Sequence, residues 1–168
     1  MEKKIVALIL AIFVSLAGIY LGAYLTDVHY KIENNQEVEE TLPCTLHPSF
    51  DCDLVNSSVY SELFGIPIAL LGFFFYATVF VVAVFALWKP AHAEVPLVII
   101  HGLTIFSIFF SIYLFYIAKF VIGALCPYCV MMYGVNAGLF ITTKIAIGKT
   151  YTEMYALLQK FLIRTFNK

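Results

Sequence analysis

Charge is what this chain has least of. Asp, Glu, Lys and Arg make up 12% of its 168 residues, against 62% hydrophobic ones, roughly half the charged share of a soluble domain. That shortage excludes a water-soluble globule and predicts an integral membrane protein. No segment is low in complexity or internally repeated, so repeat arrays and disordered tails are excluded, and one membrane domain over 1–150 with a tail over 151–168 is the economical organisation. The net charge of −1 points to no partner, and no nucleic acid is expected. Cysteine is scarce as well, with four residues in all. Val130 follows Cys129, so the C-x-x-C-H pattern of haem attachment is absent. No second ligand pair stands at zinc-finger spacing, and no metal is expected.

Four apolar runs are present, at about 5–25, 64–88, 95–118 and 127–147. The first, Ile5 to Leu25, is about 21 residues or about 31 Å as a helix, enough to cross the hydrocarbon. A signal peptide would begin with the same Lys3 and Lys4 but would carry a shorter apolar core and a small-residue cleavage site, which is not evident here. The second run opens with Gly65-Ile66-Pro67, which predicts Pro67 in the first helical turn, and Gly65 and Gly72 offer close approach to a neighbouring helix. Lys89-Pro90 ends it, and a short connection leads into the third run, making a hairpin. Lys119 to Ala124 reads as the connection to the fourth. Over 152–166, Met154, Leu157, Leu158, Phe161, Leu162 and Phe166 recur at helical spacing and predict an amphipathic helix on the membrane surface or on the bundle.

Between the first two runs lies an acidic loop over 27–63, with Lys31 its single cation. Lys31 to Glu40 lacks apolar periodicity and is expected to be mobile, while Pro43, Pro48 and the cysteines should constrain the second half. Val55 to Ser61 suits a short helical turn on the membrane. With four spans, Lys3, Lys4, Lys89, Lys144, Lys149, Lys160, Arg164 and Lys168 fall on one side, leaving only Lys31 and Lys119 on the other. Basic residues mark the cytoplasmic side. Both chain ends are therefore expected in the cytoplasm, and all four cysteines outside, where disulfides persist.

Cys126-Pro127-Tyr128-Cys129 begins the fourth run. With Pro127 at the first helical position, Cys126 is the N-cap and Cys129 lies in the first turn, where free N–H groups and the helix dipole favour thiolate. Cys129 in particular is expected to be stabilised as a thiolate there. The loop pair, Cys44 and Cys52, is either a structural staple or the travelling half of a thiol–disulfide relay. A zinc site from Cys44, His47 and Cys52 is a further alternative. A membrane dithiol must pass two electrons to something, and a lipid-soluble quinone is the natural acceptor. Phe64, Phe73, Phe74, Phe75, Tyr76, Phe109, Phe110, Tyr113, Phe115, Tyr116 and Tyr133 could wall its ring, although aromatic residues are common in membrane spans. His101, polar within the third run, is expected to be a hydrogen-bonded structural residue.

Taken together, Cys44 and Cys52, the run Val55, Ser58, Ser61, Gly65-Ile66-Pro67, Ala69, Gly72 and Tyr76, and Cys126-Pro127-Tyr128-Cys129 with Tyr133 and Asn136 resemble the vitamin K epoxide reductase family in its microbial, quinone-coupled form. The resemblance implies an all-α membrane protein: a four-helix bundle around a quinone (ubiquinone or menaquinone), capped by a short half-helix near Ser57 to Leu63. It assigns Cys44 and Cys52 as the shuttle pair reduced by a thioredoxin-like or DsbA-like protein outside the cell or in the periplasm. Cys52 then exchanges with Cys126, and Cys129 is the thiol nearest the quinone. Ser61 and Tyr133 match positions that point at the quinone oxygens, and Phe64 and Tyr76 complete the expected binding set.

Many bacterial members carry a fused thioredoxin-like domain; this sequence ends at Lys168, so a separate partner is expected. The Cys44 to Cys52 spacing is that of the vertebrate branch, which keeps vitamin K quinone or epoxide reduction open beside disulfide formation. A DsbB-type oxidase has the order of its cysteine pairs reversed. A non-enzymatic four-span scaffold with stapled loops would tolerate loss of Cys126 and Cys129.

Overall fold

The computed structural model describes residues 2–34, 50–88, 93–148 and 151–166. Four helices are long and apolar enough to cross a membrane. They are α1 (Glu2–Glu33), α3 (Ile68–Trp88), α4 (Glu94–Tyr116, prolonged by a π-helical turn over Ile117–Ile122) and α5 (Pro127–Ile147). Between α1 and α3 lie α2 (Cys52–Asn56), a 3₁₀ turn (Val59–Ser61) and a two-stranded hairpin of β1 (Glu62–Leu63) and β2 (Ile66–Pro67). Helix α6 (Tyr151–Phe166) closes the described chain.

The fourth span begins and ends where the sequence predicts. Three other boundaries differ. α1 continues eight residues beyond Leu25, so Asp27 to Glu33, Lys31 included, are helical and not loop. At about 48 Å this helix outruns the hydrocarbon, and its overhang is supported by the i,i+4 ion pair of Asp27 with Lys31 at 2.6 Å. Pro67 sits in β2, one residue before α3, and not in a first helical turn. The third span runs on through Lys119 by way of the π turn until Gly123, whose left-handed φ of 82° ends it. The remaining loop residues, Cys44 and His47 among them, lie outside the described residues.

α1 packs along α3 and α5, and α4 along α5. The half of the bundle away from the hairpin and α2 is built from small and branched residues, among them Ala7, Leu8, Ala11, Ala83, Ala86, Leu97, Ile100 and Leu139. Contact between α1 and α3 depends on glycines that the sequence did not single out. A Cβ at Gly18 would lie 2.4 Å from the Tyr76 ring, and one at Gly22 would lie 2.9 Å from the Phe73 backbone nitrogen. Gly65 has open space around it, and its left-handed φ of 77° serves the hairpin; Gly72 faces the tip of Met132. α6 packs on α4, burying Met154 and half-burying Leu157 and Leu158, which fits its amphipathic pattern. At that same end Lys4 pairs with Glu94, tying the start of α1 to the start of α4.

His101 is buried, and Thr143 Oγ1 lies 2.9 Å from its Nδ1. Thr143 gives its own proton to the Leu139 carbonyl at 2.7 Å, so the histidine nitrogen is the donor between them. Phe140 stacks on the imidazole with centroids 4.9 Å apart. This is the hydrogen-bonded structural histidine expected from the sequence.

Candidate active site

Cys126 is the N-cap of α5, with Pro127 in the first turn, and its Sγ accepts the backbone N–H of Cys129 at 3.4 Å. It is 1% exposed. A side-chain hydrogen bond with Cys129 holds the Cys126 thiol below its ordinary range; burial opposes this, and the N–H groups of Cys129 and Tyr128 reinforce it. The helix start therefore favours a thiolate on Cys126. That corrects the expectation that Cys129 would be its main beneficiary: the cap position receives the free N–H, and Cys129 supplies it. Cys126 and Cys129 are free thiols.

Cys52 is disulfide-bonded and 5% exposed. It shares a small buried cluster with Leu25 and Cys126, against which Val55, Ala69, Tyr128 and Cys129 pack. Two backbone features bring these cysteines together. Asp51 caps α2 by accepting the Leu54 N–H at 2.8 Å, which starts a helix at Cys52. One residue earlier, Phe50 forms a parallel β-bridge with Leu125, and Asp51 N donates to Leu125 O at 3.1 Å. The segments preceding Cys52 and Cys126 are thus joined side by side. The helical cap comes in two pieces: the 3₁₀ turn Val59–Ser61 lies within the expected Ser57 to Leu63 stretch, and α2 over Cys52–Asn56 precedes it.

Beneath this cap is a cavity of about 250 Å³. Its walls come from every span: Leu25 from α1, Gly72, Phe75 and Tyr76 from α3, Phe110, Ser111 and Leu114 from α4, and Cys129, Met132, Tyr133 and Asn136 from α5. The cap adds Val55, Asn56, Ser58 and Ser61. Of the expected binding set, Ser61, Tyr76 and Tyr133 line this space together with Cys129. Phe64 does not: it occupies the hairpin tip at φ 56° and is 96% exposed. Phe109, Tyr113, Phe115 and Tyr116 are also exposed, on the outside of the bundle.

The cavity's polar groups fall into two networks. Deep in the bundle, Tyr76, 1% exposed, donates to Asn136 Oδ1 at 2.7 Å, Asn136 Nδ2 donates to Ser111 Oγ at 2.9 Å, and Ser111 donates to Ser107 O at 2.8 Å. Under the cap, His29 on the α1 overhang reaches Asn56 O from Nδ1 at 3.0 Å and Glu62 Oε1 from Nε2 at 3.1 Å. Ser61 donates to Ser58 O at 2.8 Å. Asn56 is 6% exposed, and its Nδ2 is buried without a hydrogen-bond partner. Sequence reading missed His29 because it fell in a segment read as loop; its one signal is the i,i+4 placement after Leu25 on a continuing helix.

A largely apolar cavity of this size with a thiol and a few hydrogen-bonding groups in its wall fits a flat, lipid-soluble ring. Among the described residues no group of three or more His, Cys, Asp or Glu could hold a metal ion. No curated protein matches the chain. The model of the vitamin K epoxide reductase family matches residues 9–144, a range that takes in the four spans, the cap and the C-x-x-C pair. That family is one of membrane oxidoreductases acting in disulfide and quinone chemistry, and with most of its length matched and its free thiols set at a cavity inside four spans, this chain belongs to it.

Proposed function

We propose that the protein is a thiol:quinone oxidoreductase that forms disulfides in exported proteins, taking electrons from a separate thioredoxin-like or DsbA-like partner. The observation that carries this reading is the division of labour between the two free thiols. Cys126 packs with disulfide-bonded Cys52, whereas Cys129 lines the cavity.

The partner's thiolate opens the loop disulfide that Cys44 and Cys52 are proposed to form by attacking Cys44, and the partner's second thiol resolves that mixed disulfide, so the partner leaves oxidised and Cys52 can attack oxidised Cys126–Cys129 at the Cys126 sulfur. A Cys52–Cys126 mixed disulfide forms, and the Cys129 thiolate leaves into the cavity wall. Attack of Cys44 on Cys52 then restores the loop disulfide and frees Cys126. After that step Cys52 is oxidised and Cys126 and Cys129 are reduced. A quinone, ubiquinone or menaquinone, supplies a two-electron, two-proton acceptor. When Cys126 and Cys129 close their S–S bond, two electrons and two protons leave the dithiol, and the acceptor becomes the quinol. Capping by the Cys129 N–H keeps Cys126 nucleophilic, and the cap above the cavity excludes water from Cys129.

The distribution of basic residues supports a plasma-membrane protein with cytoplasmic ends and outward cysteines. A membrane-impermeant thiol reagent applied to intact cells after reduction should label Cys44 or Cys52; labelling only in opened cells contradicts this orientation. For the activity itself, purified protein given a reduced thioredoxin-like donor and a quinone should produce quinol in step with donor disulfide. Donor oxidation that proceeds without quinone, or quinone loss that needs no donor, defeats the reading.

A further inference from the structure

We propose that the side-chain amide of Asn56 donates the hydrogen bond that holds a carbonyl oxygen of the cavity's occupant, a role that the family resemblance points to Ser61; the inference rests on reading the cavity as a quinone site. The reasoning is an inventory of protons. Ser61 spends its hydroxyl proton on Ser58 O at 2.8 Å, and Ser58 spends its own on Val55 O at 2.8 Å. On the spans Tyr76 and Ser111 are likewise committed, to Asn136 at 2.7 Å and to Ser107 O at 2.8 Å, which leaves the Tyr133 hydroxyl on α5 for the ring's other oxygen and the cap without a donor unless Asn56 supplies it. Neither serine of the cap can serve an incoming carbonyl without breaking a bond it already makes. Asn56 can. It lines the cavity, it is 6% exposed, and its Nδ2 is buried with no partner, a state that a folded protein rarely leaves uncompensated.

The position is also built. Asn56 closes α2, which Asp51 caps at its other end, and its carbonyl is held by His29 Nδ1 at 3.0 Å while His29 Nε2 engages Glu62 at 3.1 Å. The backbone is therefore pinned to α1. The amide keeps its freedom about the last torsion, where a half turn exchanges nitrogen and oxygen, so the donor can face the cavity without disturbing that clasp. A ring ketone offers the matching acceptor, and an all-hydrocarbon ligand does not.

The test uses the full chain in lipid nanodiscs and two probes, a prenylated 1,4-naphthoquinone and the same prenylated naphthalene without oxygens, titrated calorimetrically with both cysteine pairs oxidised and no dithiol present, so that no electrons reach the quinone. Wild type should bind the quinone more tightly than the hydrocarbon. Asn56→Leu should lose about 3- to 10-fold in quinone affinity while hydrocarbon affinity stays unchanged, a pattern that a collapsed cavity would not produce. Asn56→Asp, which keeps the shape and replaces the donor by an oxygen, should show the same selective loss and serves if the leucine variant does not fold. Variants that keep the full preference for the quinone overturn the assignment of Asn56. A wild-type chain that binds both probes alike, or neither, overturns it together with the quinone reading.

Discussion

The two ends of the bundle solve opposite problems with the same four helices. At the end away from the cap, Ala7, Ala11, Ala83 and Ala86 let backbones close on one another, Leu97 and Ile100 fill what is left, and the buried His101 is hydrogen-bonded to Thr143. At the capped end the helices stay apart. A short non-spanning segment roofs the gap, leaving about 250 Å³ between them, and the thiols stand at its margin. Helix packing between lipid-facing spans favours small residues and close approach; a cavity persists only where another segment covers it. The uncapped end is therefore where stability should reside, and the capped end where chemistry should.

Four substitutions test that division, beginning with the largest effect. Cys129→Ala should bring quinone reduction down to the uncatalysed rate with either a protein or a small dithiol donor, since the cavity wall then holds no thiol. Cys52→Ala should abolish oxidation of a protein partner yet leave reduction of quinone by a small dithiol measurable. Equal loss of both reactions would mean that Cys126 is not reachable independently and that the loop is not a shuttle.

At the uncapped end, Leu97→Ala should cost about 2–5 kcal/mol of stability, read as a lowered unfolding midpoint in detergent, with quinone turnover per folded molecule retained. A large loss of turnover in the folded fraction would show that the two ends are not separable. Gly18→Ala lies between them. Its new Cβ would meet the Tyr76 ring at 2.4 Å, so a cost of about 1–3 kcal/mol is expected. Because Tyr76 also bonds Asn136 at the cavity wall, this variant alone should lower both stability and quinone affinity.

The smallest effect concerns protonation. Alkylation of Cys126 should rise with pH through an inflection below that of an ordinary thiol, about 8.5, because the thiolate is the reactive form and the folded site stabilises it. In Cys129→Ala the side-chain hydrogen bond that contributes most to this shift is gone, so the inflection should move upward. An inflection that stays put would assign the shift to the backbone N–H groups alone.

Much of this was legible in the residues because hydropathy reports where a chain meets lipid. The start of 127–147 was legible as Pro127 after a capping cysteine and its end as the close of the apolar run; the left-handed Gly148 at the C-cap emerges only in the structure. Hydropathy is silent about helices that leave the membrane. Asp27 and Lys31 end the apolar run although their ion pair favours helix, and the misplaced boundary hid His29. The first piece of the cap was missed for a related reason: its start is set by Asp51, a residue read only as loop charge. Phe64 was taken for a ring-stacking residue on composition, but its left-handed φ of 56° turns the hairpin outward. The crossing at Gly18 and Gly22 was invisible, because a glycine in an apolar run signals close approach only once its neighbour is known.

The bridge between Phe50 and Leu125 has a bearing on how docking of the loop could be timed. Apart from side-chain packing, the segment leading into Cys52 is fastened to the segment leading into Cys126 through the Asp51 amide on the Leu125 carbonyl, at 3.1 Å. One amide proton therefore stands guard over the encounter of the two thiols. It exchanges with deuterium only while the segments are apart, so its protection factor is a direct count of how much of the time Cys52 is within reach. Followed as Cys52 is reduced and reoxidised, that single exchange rate would report the duty cycle of the proposed shuttle without labelling any sulfur.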